Sequence, residues 1–93
     1  MKIGSCLLKL IIYESNSLKE KRQILRSVID RIKARFNVSV AEVGELDKWK
    51  LAEIGISCVS NSGKHADEMI NKIIYFIEQD MRLEIIECHV EIL

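Results

Sequence analysis

Six stretches of this chain switch between two hydrophobic periods, and the order in which they do so leaves few folds open. Residues 2–13 alternate, with Cys6, Leu8, Leu10 and Ile12 on one face and Ser5, Leu7, Lys9 and Ile11 on the other, the two-residue period of a half-buried strand. From Ser17 to Phe36 the period lengthens. Leu18, Ile24, Leu25, Val28, Ile29, Ile32 and Phe36 recur every three or four residues and fall on one arc of a helix. Val38, Val40, Ala41 and Val43 return to a strand pattern, and Ala52, Ile54, Ile56 and Cys58 alternate with Glu53, Gly55 and Ser57 in a third. Ala66, Met69, Ile70, Ile73, Ile74 and Ile77 then mark a second one-faced helix reaching about Gln79, and Ile86, Cys88, Val90 and Ile92 alternate with Glu87, His89 and Glu91 in a last strand.

Strand, helix, strand, strand, helix, strand is two split β-α-β units in series. Right-handed crossovers then predict a ferredoxin-like βαββαβ sandwich, α+β in class, with a four-stranded antiparallel sheet in the order 4-1-3-2 and both helices on one face. Local punctuation agrees. Ser17-Leu18-Lys19-Glu20 is a capping box, Ser60-Asn61-Ser62-Gly63 supplies caps for the second helix, and Glu45 to Lys50 reads as a hairpin connection. Gly44 marks a bulge or turn, Gly4 a place of close approach, and Asn37 a residue able to end the first helix in a left-handed conformation. With 93 residues, no proline and no break in composition, a single domain over 1–93 is expected.

Several function classes lose support. No apolar run approaches the roughly 20 residues needed to span a bilayer, and signal-peptide anatomy is absent, so no membrane partner and a cytoplasmic location are expected. Cys6, Cys58 and Cys88 are odd in number and scattered, which argues against a disulfide framework or a zinc site and for buried reduced thiols. Cys88 and His89 are adjacent on a strand and point to opposite faces, so they form no nucleophile and base pair. The loop from Tyr13 to Ser17 has neither the Gly and Arg of a phosphate loop nor a cysteine pair. The outer face of the central strands carries Ser5, Leu7, Lys9, Ile11, Glu53, Gly55 and Ser57, with no aromatic platform for stacking bases. No catalytic residue, metal or cofactor is indicated.

Charge is the remaining signal. The chain is neutral, but residues 17–36 hold seven of its fourteen Lys and Arg against two acids, a surplus of five that the rest of the chain mirrors as a deficit. Lys19, Lys21, Arg22, Arg26 and Lys33 are the candidate nucleic-acid contacts, for structured RNA or a ribosomal particle, where phosphate contacts position without reading sequence. Lys19, Arg22, Arg26 and Lys33 share an arc of roughly 60° beside the apolar stripe, and Asp30 stands at i+4 to pair with Arg26. A second candidate surface is the sheet face away from the helices. Leu7, Ile11 and Ile85 there, with Trp49 in the hairpin, predict a homodimer or a protein- or small-ligand-binding module without catalysis.

Ser17-Leu18-Lys19-Glu20-Lys21-Arg22, Phe36 to Val43, the Asp47-Lys48-Trp49 turn and Val59-Ser60-Asn61 together resemble the YlxP-like family of small bacterial proteins of unknown function, over essentially the full length. The resemblance implies a ferredoxin-like fold and a bacterial cytoplasmic protein. The family's genes often lie among those for transcription elongation, translation initiation and ribosome maturation, which implies an RNA- or ribosome-associated role and supplies no catalytic residues.

Overall fold

The first strand sets the register for everything else. In the computed structural model, which describes residues 1–93, β1 (Lys2–Ile12) lies between β3 (Leu51–Ser60) and β4 (Leu83–Ile92), and β2 (Ser39–Gly44) pairs with the outer side of β3. All pairings are antiparallel and the sheet order is β2-β3-β1-β4, the expected ferredoxin-like topology. Because opposed residues in an antiparallel pair share a face, Cys6, Leu8 and Leu10 meet Ile56, Ile54 and Ala52 on the helix side.

Two helices cover that side. α1 (Leu18–Arg35) starts at Ser17, whose Oγ accepts the Glu20 amide at 3.1 Å, and Glu20 Oε2 accepts the Asn16 amide at 3.0 Å. The return bond thus reaches the residue before the cap rather than the cap itself. α2 (Gly63–Glu78) starts at Ser62, whose Oγ accepts the His65 amide at 3.3 Å. Leu25, Val28 and Ile32 from α1 and Ala66, Ile70, Ile73 and Ile77 from α2 complete the core with Ile12, Val40, Cys58 and Leu83. Burying one such aliphatic side chain contributes about 1.5–3 kcal/mol.

Gly4 is where the sheet and α2 come closest. A Cβ there would stand 2.9 Å from Cys58 Sγ and from Ile70 Cδ1, so the close approach expected at this glycine is present. The end of α1 differs from expectation. Phe36 leaves the helix in an extended conformation (φ −130°), its amide still bonded to Ile32 O at 2.8 Å, and its ring meets Phe76 edge to face at 5.9 Å. The aromatic contact draws the chain off the helix, and Asn37 takes no left-handed turn. The one non-glycine residue with positive φ is Glu45, at 57°.

Two bulges re-phase the edge strands. In β2 the register skips Val43 between Glu42 and Gly44, where the glycine marked a bulge, and in β4 it skips Ile86 opposite the Lys9–Leu10 step. An extra residue inverts the facing of all residues on one side of it. Cys88 also departs from expectation: it lies on the helix side of an edge strand yet is exposed, while Cys6 and Cys58 are buried. Burial, with the Cys88 thiol nearby, pushes the Cys6 thiol up to about 12.

Candidate nucleic-acid interface

α1 owes its charge pattern to the same periodicity that builds its apolar stripe. Leu25, Val28 and Ile32 face the sheet, which turns Lys19, Arg22, Arg26 and Lys33 toward solvent along the flank nearer β2. All four are exposed. Arg22, Arg26 and Lys33 rim a shallow depression floored by Leu25, Ile29 and Val40. None of the four lies within ion-pair distance of a carboxylate, since the molecule's two salt bridges are Lys21–Glu42 and Arg82–Asp80. The Arg26–Asp30 pair expected from i, i+4 spacing is therefore not formed, and the flank carries four cations without a contact ion pair, although Asp30 and Glu42 line the same depression.

Lys21 does not belong to that surface. Its side chain is 0 % exposed, and its Nζ lies 3.0 Å from Glu42 Oε2 while donating to Glu45 O at 2.6 Å and Lys48 O at 2.7 Å. Two ammonium protons go to carbonyls and the charge is matched by Glu42, whose Oε2 is buried without a hydrogen-bond partner of its own, so the lysine tolerates burial by pairing of charge as well as by hydrogen bonds. The reason is positional. Glu42 opposes Ile54 and so lies on the helix side of the sheet, where a carboxylate at the edge of an apolar layer needs a counter-charge. The same ammonium holds the carbonyl of Glu45, the residue with positive φ, and that of Lys48, whose amide closes the turn on Glu45 O at 3.1 Å. Lys21 is thus the bolt between α1 and the β2–β3 hairpin. The signal for it was present in the spacing, because Lys21 sits four, seven and eleven residues before Leu25, Val28 and Ile32, in the middle of the apolar stripe.

The residues expected on the open sheet face divide in a similar way. Leu7 is 38 % exposed beside Gly55, Ile11 is half-buried, and Trp49 in the hairpin is 55 % exposed. Ile85 is misplaced in that set. The Ile86 bulge sets Ile85 opposite Leu10, so it faces the helices and packs on the core. Val43, the extra residue of the β2 bulge, is exposed instead and closes to 3.3 Å over the position a Gly55 side chain would take.

A four-stranded antiparallel sheet in this order with two helices on one side defines an α+β protein of the ferredoxin class. A solution structure of a de novo designed protein with a ferredoxin fold superposes with a TM-score of 0.59, covering 100 % of this chain and 84 % of that one at 16 % identity. That likeness is one of architecture alone. The family follows from sequence: the profile of the family described as "Protein of unknown function (DUF503)" matches residues 3–90, and the chain belongs to that family. It is also 35 % identical over 82 residues to the "Uncharacterized protein YlxP" of Bacillus subtilis (strain 168), an alignment covering 88 % of this chain and 89 % of that protein. No helix here is long and apolar enough to cross a membrane.

Proposed function

We propose that this protein is a cytoplasmic accessory factor that contacts structured RNA or a ribosomal particle through the basic flank of α1. The observation that carries the reading is the set of four exposed cations, Lys19, Arg22, Arg26 and Lys33, on one arc with no carboxylate within ion-pair distance. Fields of one sign on one face draw polyanions and give little sequence discrimination. Four phosphate contacts correspond to an affinity that falls by about three decades per decade of salt, or on the order of a hundredfold between roughly 50 and 200 mM. The test is binding of ribosomal RNA and of purified subunits across that range by the wild type and by a Lys19→Glu, Arg22→Glu, Arg26→Glu triple variant. Loss of binding and a flattened salt slope in the variant support the reading. Retention of both refutes it.

A homodimer through the open sheet face is a compatible second reading, since that face lies on the opposite side of the sheet from α1. The exposed Leu7 and Val43 around Gly55, with Val59 69 % exposed further along β3, favour it. A charged residue at Leu7 would convert a dimer to a monomer in sedimentation and leave RNA binding by α1 in place.

A further inference from the structure

The other flank of α1 faces α2, and there the two helices do not close on each other. They touch through the Phe36 and Phe76 rings and leave a cleft of about 690 Å³ between the second half of α1 and the second half of α2. That volume falls within the roughly 300–1,000 Å³ of small-molecule sites. Val28, Phe36, Phe76 and Ile77 give it apolar and aromatic walls, and Tyr75, 66 % exposed, stands at its edge. Three cations line it: Arg31 and Arg35 from α1 and Lys72 from α2.

None of the three is ion-paired within the protein, although Arg31 lies near enough to Asp80 to help hold its carboxyl below the usual carboxylate range. The one acid lining the cleft is Asp80, and its two oxygens are held by Arg82, Nε to Oδ1 at 3.0 Å and Nη2 to Oδ2 at 2.7 Å. No carboxylate comes within ion-pair distance of Arg31, Arg35 or Lys72. Arg35 is already ordered, its guanidinium 5.0 Å above the Phe76 ring, a stacked cation with its remaining donors available. Asn71 and Gln79 spend their amide N–H groups inside α2, on Asp67 and on Tyr75 O, and their amide oxygens stay free to accept.

We propose that this interhelical cleft binds a small phosphomonoester carrying a planar ring, a ligand of mononucleotide class and size. Two of the three cations neutralise the dianionic phosphate by charge-assisted hydrogen bonds, the ring lies against Phe36, Phe76 and Tyr75, and the free amide oxygens of Asn71 and Gln79 accept from its exocyclic amino group. A purely apolar ligand would leave the cations without purpose, and a bare inorganic anion would leave the aromatic walls empty. The site is separate from the basic flank in the functional reading above, because Arg31 and Arg35 lie across the apolar stripe from Arg26 and Lys33, and it does not depend on that reading.

The experiment is a titration of the whole isotope-labelled protein, followed by proton–nitrogen correlation NMR, with each of the four ribonucleoside monophosphates, with the parent nucleosides, with inorganic phosphate and with a short single-stranded oligonucleotide. The expected result is saturable shifts from at least one mononucleotide confined to residues 28–36 and 71–80, with the nucleoside and phosphate each about tenfold weaker or more. Arg31→Gln combined with Lys72→Gln, both exposed positions, should weaken the mononucleotide by about tenfold or more with melting unchanged. Lys19→Glu with Arg22→Glu should leave it unaltered. No shifts at about 10 mM mononucleotide, a nucleoside that binds as well as its phosphate ester, or an oligonucleotide that binds here while mononucleotides do not, overturns the proposal.

Discussion

Replacing Lys21 by Met keeps most of the aliphatic volume of the side chain and removes the ammonium. The Glu45 and Lys48 carbonyls then lose their donor, and the Glu42 carboxylate, whose side chain is 19 % exposed, loses its counter-charge. Removing one partner of a buried ion pair costs about 3–5 kcal/mol. Glu42 is on an edge strand and can swing partly into water, which places the expected loss near the lower end, about 3 kcal/mol. For a domain of this size that lowers the melting temperature by roughly 12–24 °C. The assay is urea and thermal unfolding followed by circular dichroism, with Trp49 fluorescence as a second probe inside the connection that Lys21 holds. A Lys21→Met, Glu42→Leu double variant should recover part of the loss, because it removes the orphaned charge, but not all of it, because the two carbonyls remain unpaired at about 1–3 kcal/mol of desolvation. The coupling between the two sites should therefore reach about 1 kcal/mol or more. A single variant that loses under about 1 kcal/mol, or two substitutions whose effects simply add, would refute the role assigned to Lys21.

Two further outcomes follow from particular contacts. Gly4→Ala drives a methyl to 2.9 Å from Ile70 Cδ1 and Cys58 Sγ and should cost about 1–3 kcal/mol by overpacking, a loss that Ile70→Val relieves in a double variant measured by urea unfolding. Asp80 titrates below its ordinary value of 3.8, first because Arg82 donates to it. A depressed carboxylate stabilises the fold above its unfolded value and loses that contribution as pH falls through the folded one. Stability measured from about pH 5 downward should therefore decline less steeply in Arg82→Gln than in the wild type, and equal slopes would remove Asp80 from the acid response.

The topology could be read from the chain because the two central strands and the two helices repeat their own periods without interruption, and the bulges fall only in the edge strands. Cys6, Leu8, Leu10 and Ile12 could only be one face of a strand, and Ala66, Ile70, Ile73 and Ile77 only one face of a helix. Six such segments in this order, with right-handed crossovers, admit essentially one sheet order. The capping residues Ser17 and Ser62 were legible for the same reason, since a helix start is satisfied by side chains two or three residues away.

What the chain did not disclose alone were the places where one element's phase is corrected by another. Ile85 belongs to the core because β4 gains a residue at Ile86, and a bulge is decided by what β1 offers across the ladder, not by any local run of residues. Lys21 reads as one more cation in a basic segment until Glu42 is found on the helix side of β2 and the hairpin carbonyls close over it. The pairing of Arg31, Arg35 and Lys72 around an aromatic cleft likewise joins residues about forty positions apart. Local sequence fixes which side of an element is apolar, whereas the charge left over once the elements dock is a property of the packed whole: the Arg82–Asp80 pair is local, but the Lys21–Glu42 pair depends on a distance that exists only after the sheet and helix have met.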